Sequence, residues 1–295
     1  MLSLCVEPPA VTHVRHKGNG VGGVTSLGDD VFVVRYKSQE KIEVYDVNTF
    51  TLQRHIIVPG LGSSPFGLVA CPHNECLYAS DFHNAVVHRV DLSGSEATRK
   101  LLLKLAGINA VTKWSVEHGP VGLSVNSEHN LIVVCGGERK LQIFTTDGTL
   151  LQEIELQAAV ESPRHAVQLS TGQFLVNHVG SLHCVCLVGV DGAVVRSYGG
   201  QQGSQLTQMN YPAGLAVDRE GGVLVADRWN NRLLVIDKSL SSAHEMSVCI
   251  EGGLKGPYSL CYDQSRRRLY IGELKGGRLI VIDNLKDFTV SQVNA

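Results

Sequence analysis

The chain has 295 residues, of which 43% are hydrophobic and 18% are charged, and its net charge is −2 at pH 7. This composition supplies enough apolar residues for a large core and excludes a disordered chain. The near-neutral charge also excludes a global positive field that would attract nucleic acid or an anionic membrane.

The N-terminal segment carries no recognisable targeting signal. Residues 1–17 lack the basic start and the long apolar run of a secretory signal peptide. No later stretch is apolar for the roughly 18 residues that a membrane-spanning helix requires. We therefore expect a soluble, cytoplasmic protein without a membrane partner.

The cysteines do not form a metal-binding or disulfide pattern. Eight of them are scattered along the chain, mostly inside apolar runs and without a C-x-x-C pair. A structural zinc site takes ligands in pairs about two to four residues apart. The pattern instead favours free, buried thiols, and we expect neither a bound metal nor a cofactor.

A sequence pattern recurs at intervals along the chain. Five segments begin at a proline and continue into an apolar run, and their starts lie 43 to 55 residues apart. The prolines are Pro65, Pro120, Pro163, Pro212 and Pro257. A sixth start, GVTSLGDD, begins at Gly23 without a proline. The spacing is close to the roughly 40–50 residues of a propeller blade, so we predict six blades.

Each repeat is predicted to contain three clear strands and a more variable fourth. In the fifth repeat the strands are Gly214–Val217, Val223–Ala226 and Arg232–Ile236, separated by polar or glycine-rich turns. Such short alternating runs are typical of strands, and only Ala97–Asn109 is a possible helix. Four-stranded sheets cannot bury both faces alone, so the blades must pack around a common axis.

We therefore predict an all-β fold, a six-bladed β-propeller with four antiparallel strands per blade and one domain over residues 1–295. The predicted blades span approximately 18–60, 61–117, 118–160, 161–208, 209–254 and 255–295. Residues 1–17 are a possible closing strand, in which LSLCVE or AVTHV pairs beside FTVSQV or residues 286–290. Because a closed propeller hides its strand edges, we expect a monomer.

The fifth repeat carries the triplet Asn231-Arg232-Leu233 at the start of its third strand, and GPYSLCYDQSRRRLYIGELKGGRLIVID repeats the pattern in the sixth. On these features the chain resembles the NHL-repeat family, named for Asn-His-Leu. It is most similar to the C-terminal propellers of TRIM-NHL proteins. That resemblance implies substrate recruitment for a ubiquitin ligase, or RNA binding. No segment of this sequence resembles the RING, B-box or coiled coil of those ligases.

Some recurrent residues are better explained by packing than by a site. The glycine of each Gly-Leu pair at positions 67, 122 and 214 is predicted to let inner strands crowd the axis. Asp227, Asp237 and Asp283 follow strands and are predicted to accept hydrogen bonds from turn amides. We assign none of them to a metal site.

The predicted binding surface lies where the loops between second and third strands meet the links between blades. We call this side of the propeller the hairpin face. It is predicted to collect the following binding residues, with Tyr36 beside them: Lys37, Phe66, Phe82, His83, Arg139, Arg164, His178, Tyr211, Arg228, Trp229, Asn230, Tyr258 and Lys275. Aromatic rings beside cations are typical of binding surfaces.

An enzyme is the less favoured alternative. Lactonase-like and lyase-like propellers hold a metal at the axis through several converging ligands, whereas the inner strands here offer only His165. The sequence contains no G-x-S-x-G, H-E-x-x-H or glycine-rich phosphate loop. We therefore predict a domain without catalytic residues.

Two kinds of partner remain for a recognition module. A protein partner requires a rigid surface with an aromatic and arginine hot spot, while single-stranded RNA in post-transcriptional regulation requires cations for phosphates and rings for bases. The near-neutral chain favours a protein and gives no support to DNA. A continuous positive stripe across the hairpin face would reverse the preference for protein over RNA.

Overall fold

Antiparallel strand pairing repeats along the whole of the computed structural model, which describes residues 11–16, 18–38, 40–93, 111–285 and 288. The described residues form six sheets of four antiparallel strands. The predicted fold class, an all-β six-bladed propeller, is confirmed. Within the described ranges no helix is long and apolar enough to cross a membrane. The possible helix at Ala97–Asn109 lies outside the described residues.

The strands of the first three blades run from the axis outward in chain order. Blade one contains β2 (Val21–Leu27), β3 (Asp30–Arg35), β4 (Lys41–Asp46) and β5 (Leu52–Ile57). Blade two contains β6 (Leu68–Cys71), β7 (Cys76–Asp81), β8 (Val86–Asp91) and β9 (Val111–Ser115). Blade three contains β10 (Pro120–Val125), β11 (Leu131–Cys135), β12 (Lys140–Phe144) and β13 (Leu150–Glu155).

The remaining blades follow the same order except at the closure. Blade four contains β14 (Pro163–Gln168), β15 (Phe174–His178), β16 (His183–Val188) and β17 (Val194–Gly200). Blade five contains β18 (Pro212–Val217), β19 (Val223–Asp227), the 3-10 turn Arg228–Asn230, β20 (Arg232–Ile236) and β21 (Ala243–Met246). Blade six contains β22 (Pro257–Asp263), β23 (Arg268–Glu273), β24 (Arg278–Ile282) and, as its outer strand, β1 (Val11–His16).

The ring closes through the N-terminal strand. Strand β1, which includes most of AVTHV, pairs antiparallel with β24. The predicted pairing of AVTHV with a segment beyond residue 285 was therefore wrong. The third strand of blade six exposes unpaired donors and acceptors, and β1 satisfies them directly. LSLCVE and nearly all of FTVSQV lie outside the described residues.

The core is divided into six apolar clusters, each between two neighbouring blades. Strand β19 shows how one strand serves two of them. Val223 and Val225 pack toward blade four, while Leu224 and Ala226 pack toward blade six. Because both faces are buried, middle strands read as continuous apolar runs rather than as alternating ones.

Glycines permit the close approach of inner strands, as predicted. A Cβ atom on Gly122 would lie 2.4 Å from the Arg164 carbonyl oxygen, and one on Gly214 would lie 2.5 Å from the Tyr258 carbonyl oxygen. Both contacts join one blade to the next. The recurrence of the Gly-Leu pairs is therefore explained by packing of the ring.

The two aspartates that end third strands behave differently. Asp237 accepts hydrogen bonds from the Ser241 and Ser242 amides, as predicted. Asp283 forms an ion pair with Arg268, and residues 286–287 of the segment that follows it lie outside the described part of the chain. The strand pairing places Leu269 opposite Ile282, which makes Arg268 and Asp283 cross-strand neighbours.

The cysteines are mostly buried among the described residues. Cys71, Cys76, Cys135, Cys184 and Cys186 are free and buried, while Cys249 is exposed. Burial raises the pKa of Cys184 to about 11 and that of Cys186 to about 12. The thiols of Cys184 and Cys186 therefore remain protonated at neutral pH.

Candidate binding site on the hairpin face

A cavity of about 760 Å³ opens at the propeller axis on the hairpin face. We call it the aromatic funnel. Its lining residues are Tyr36, Phe66, Phe82, Val121, Arg164, Tyr211, Arg228, Trp229, Asn231, Gly256, Tyr258, Leu274 and Lys275. Hairpin loops, links between blades and the starts of three inner strands supply these side chains, so the funnel gathers residues that are far apart in the sequence.

Irregular pairing at the start of inner strands directs three of these side chains into the funnel. In blades three, four and six the register shifts between the first residue, a proline, and the third. The residues skipped by the pairing are Val121, Arg164 and Tyr258, and all three line the funnel. A bulge leaves one residue unpaired and re-aims its side chain, so the residue after the link proline becomes a wall of the cavity.

The aromatic lining consists of two groups of touching rings. The Phe66 ring lies 5.8 Å from Tyr36, 5.7 Å from Phe82 and 5.8 Å from Tyr258, measured between ring centroids. The Tyr211 and Trp229 rings stack at 5.1 Å. These are favourable spacings for aromatic pairs. Trp229 still has 54% of its surface exposed, so it remains available to a partner.

Two arginines converge on the ring of Tyr211. The guanidinium carbons of Arg164 and Arg228 lie 4.9 Å and 5.0 Å from its centroid. Arg228 also lies 5.5 Å from the ring of Tyr258. Burial raises the pKa of Tyr258 above its ordinary value, although the charges of both arginines act to lower it. The phenol is therefore neutral at physiological pH and able to donate a hydrogen bond.

The funnel cations have no carboxylate partner. Among the described residues, no ion pair involves Arg164, Arg228 or Lys275. The acidic residues that end second strands beneath the hairpin face are buried, and their carboxylates bind other groups of the propeller. In blade five Asp227 pairs with Arg232 at 2.8 Å. The charged lining of the funnel is thus positive.

The loop that presents Arg228 and Trp229 is braced from below. The Asp227 carboxylate accepts hydrogen bonds from the Asn210 amide at 2.6 Å and from the Asn230 side chain at 2.8 Å. The Trp229 amide donates to the Asn210 carbonyl at 3.0 Å. Since these bonds exist before any ligand arrives, binding would order few additional groups.

The Asn-Arg-Leu triplet supports the same loop. Asn231 has a left-handed backbone with φ of 54°, and its side-chain oxygen accepts a hydrogen bond from the Gly256 amide at 2.8 Å. Arg232 donates to carbonyl groups of the preceding link, and Leu233 is buried between blades five and six. The triplet therefore positions the funnel wall across a blade junction.

The structure places eight of the thirteen predicted binding residues in the funnel: Phe66, Phe82, Arg164, Tyr211, Arg228, Trp229, Tyr258 and Lys275. Lys37, His83 and Arg139 are exposed outside it. The side-chain amide of Asn230 donates hydrogen bonds to Asp227 and to the Gly203 carbonyl. These four residues, and His178, were grouped with the others because loop position alone does not report side-chain direction.

His178 requires a correction. Its side chain is only 2% exposed, so it does not belong to an accessible surface. Burial also lowers its pKa, which keeps the ring neutral. His178 is the last residue of β15 and faces the interior, whereas the predicted exposure assumed that it begins the loop.

Sequence reasoning missed Val121, Asn231, Gly256 and Leu274, which also line the funnel. Val121 follows a link proline, as do Arg164 and Tyr258. That shared position is the signal that would have found it. The other three carry no aromatic or charged group and have no comparable signal.

A second cavity of about 380 Å³ continues along the axis between the inner strands. His165 lines it, but both ring nitrogens are occupied. Nδ1 accepts a hydrogen bond from the Leu215 amide at 3.0 Å, so Nε2 carries the proton and donates to the Leu123 carbonyl at 3.1 Å. Burial lowers the pKa of His165. Across the described ranges, no cluster of three or more His, Cys, Asp or Glu residues is arranged to hold a metal.

The comparison with family models decides what kind of propeller this is. The NHL repeat model matches residues 209–236, which cover β18 to β20 and the triplet. The described residues therefore form a six-bladed β-propeller whose fifth blade carries an NHL repeat. This propeller is also similar to the protein brain tumor of Drosophila melanogaster, with 28% identity over 131 residues, or 43% of this chain. The chain covers only 12% of that relative's length.

Solved structures of low sequence identity share the fold of the NHL propeller. Hydrazine synthase of Kuenenia stuttgartiensis has a TM-score of 0.63 at 14% identity, covering 92% of this chain and 98% of its own. Virginiamycin B lyase of Staphylococcus aureus has a TM-score of 0.63 at 8% identity, covering 92% and 99%. A Bacteroides thetaiotaomicron protein of unknown function has 0.70 at 14% identity, covering 93% and 73%. At these identities the likeness concerns the fold alone.

Proposed function

We propose that the hairpin face of this NHL propeller is a non-catalytic recognition surface that binds a protein partner. The observation that carries the proposal is the aromatic funnel, in which touching rings surround two arginines that lack carboxylate partners. Tyrosine, tryptophan and arginine are the residues most enriched at interface hot spots, which cluster near the centre of an interface. Trp229 adds an exposed ring on a braced loop.

The charges around the funnel favour a protein over RNA. Lys37 and Arg139 are exposed in hairpin loops, but Glu40 is exposed in the same loop as Lys37 and Glu117 in the link before β10. Proteins that follow a nucleic-acid strand use a continuous cationic groove to contact successive phosphates. A mixed rim around one central cationic pocket suits a folded or extended protein segment better.

The resemblance to TRIM-NHL propellers and the hydrogen bonds of His165 at the axis both support a module that binds its ligand without reacting with it. By analogy with the TRIM-NHL propellers, the proposed role is to bring a substrate to a ubiquitin ligase. The lyase among the structural neighbours raises the alternative of an enzyme. Against it, the ring nitrogens of His165 are both engaged with neighbouring blades, which leaves the histidine no free nitrogen for a metal or a substrate proton.

The double variant Arg228→Ala/Trp229→Ala tests the proposed surface. Partners identified by proximity labelling are purified, and their affinity for wild type and variant is compared by calorimetry. We expect affinity to fall by on the order of 2 kcal/mol or more, because both side chains belong to the hot spot. The free energy of unfolding should change by only about 0.5 kcal/mol, as is usual for exposed loop positions.

The matched control is Arg219→Ala/Val190→Ala, which removes an exposed arginine and an exposed apolar side chain from the opposite side of the propeller. It should bind as wild type does. A funnel variant that stays folded and binds every protein partner normally would contradict the proposed surface. If affinity for a short single-stranded RNA falls instead, and with a reduced salt dependence, the partner is a nucleic acid.

A further inference from the structure

The two arginines that meet at Tyr211 form a more specific site than a general binding surface. We infer that Arg164 and Arg228 together bind one carboxylate, supplied by an aspartate or glutamate side chain of the protein partner. The inference rests on the proposed function, because it assigns the chemistry of the residue that the partner inserts. The rings of Tyr211 and Tyr258 both contact Arg228 at this site.

The site contains hydrogen-bond donors without matching acceptors. The Nε atom of Arg164 is buried and has no hydrogen-bond partner among the described residues. A guanidinium stays charged at any physiological pH and offers five N–H donors but no acceptor. A buried donor left unsatisfied costs roughly 1–3 kcal/mol. A carboxylate that reaches the other N–H groups of Arg164 would supply an acceptor that the described residues do not offer.

The groups around the two arginines hold them in place without neutralising their charge. Tyr211 contacts both guanidinium groups through its ring face, at 4.9 Å and 5.0 Å. A ring face attracts a cation but leaves the N–H edge of the guanidinium free to donate. Arg164 is further fixed by its bulge position after Pro163. Each guanidinium is therefore held by the ring while its N–H edge remains able to bind an acceptor.

The chemistry of the funnel lining restricts which kind of anion can bind. An arginine fork matches the two oxygens of a carboxylate in a bidentate pair. The rings of Phe66, Tyr258 and Trp229 line the same funnel as these cations, so the residues flanking the anion must be apolar. An acidic residue between apolar neighbours satisfies both conditions. A polynucleotide would bring one phosphate for every base into a funnel whose described lining has three cations in total.

The experiment observes the arginines directly, by NMR of protein labelled with 15N-arginine. The probe is N-acetyl-glutamate N-methylamide, and the matched control probe is its glutamine analogue. We expect the Nε–H signals of Arg164 and Arg228 to shift saturably with the glutamate probe and at least tenfold less with the glutamine probe. Arg164→Gln and Arg228→Gln assign the two signals. Arg219, on the opposite side, should not respond.

The variant Arg228→Lys tests whether binding requires the bidentate guanidinium or only a positive charge. It keeps one cation but loses the bidentate geometry, so we expect the glutamate probe to bind at least fivefold more weakly. Unchanged affinity in Arg228→Lys, or equal shifts with the glutamate and glutamine probes, would overturn the carboxylate site. Uridine monophosphate is the third probe. If it binds more than tenfold tighter than the glutamate probe, the site is for a phosphate and the inference is wrong.

These outcomes are distinguishable from failure of the proposed function. A peptide array of capped segments with a fixed glutamate or glutamine between apolar residues supplies the second readout. Binding that depends on Trp229 but not on the fixed glutamate would leave protein recognition standing and remove the carboxylate site. Loss of both dependences would remove the proposed surface as well.

Discussion

At the residue scale, the inner strands use polar side chains to tie blades together rather than to build a reactive centre. His165 joins three blades, since it accepts from Leu215 of blade five and donates to Leu123 of blade three. Asn177 adds a bond from blade four to the Ala213 carbonyl of blade five at 2.7 Å. The histidine that the sequence singles out at the axis is therefore a structural link.

This role predicts a pH dependence of stability. Burial lowers the pKa of His165, so in the folded protein the ring stays neutral while the unfolded chain binds a proton below about pH 6.5. The contribution of His165 is thus present above about pH 6.5 and is lost as the pH falls from there toward the lowered folded pKa. His88 and His178, whose pKa values burial also lowers, act in the same direction.

Urea unfolding at pH 7.5, 6.5 and 5.5 measures the effect. Wild type should lose stability with falling pH, because protonated Nδ1 becomes a donor that faces the Leu215 amide. His165→Gln keeps one acceptor and one donor but does not titrate. Its slope should be smaller by up to about 1.4 kcal/mol per pH unit, the value for one proton. Equal slopes in the two proteins would show that His165 is not held neutral.

At the element scale, the hydrophobic pattern predicts most strands but not their irregularities. The fifth repeat was predicted to contain Val223–Ala226 and Arg232–Ile236, and the structure has Val223–Asp227 and Arg232–Ile236. Short apolar runs between polar turns identify strands because both of their faces are buried. The bulges at the inner strands depend on contacts with the next blade, which a local pattern does not contain.

The inner-strand glycines make a second prediction, on stability. Gly214→Ala should destabilise the propeller by about 1–3 kcal/mol, as overpacking in a tight core does. The new Cβ would lie 2.5 Å from the backbone oxygen of Tyr258, which cannot move without shifting blade six. Gly200→Ala is the control, since a Cβ there meets nothing within 4 Å. Denaturant unfolding should separate the two variants, and equal stabilities would contradict the packing role.

At the scale of the whole molecule, the period of the prolines predicts six blades and therefore one face on which all hairpin loops meet. That step alone brought Phe66, Arg164, Tyr211 and Tyr258 together from four different repeats. It did not predict the direction of each side chain, so buried His178 was placed with exposed neighbours. It also did not predict how the ring closes, because the partner of β1 depends on which strand edge is left unpaired.

The central claim is that this NHL propeller binds its partner through the hairpin face, and site-specific photo-crosslinking tests it most directly. The photoreactive residue p-benzoylphenylalanine replaces either His83, which is exposed beside the funnel residue Phe82, or Val190, which is exposed on the opposite side. Because both positions are accessible, a difference in crosslinking reports where the partner sits. We expect the partner protein to be captured from position 83 and not from position 190. Capture from position 190 with none from position 83 would contradict the claim.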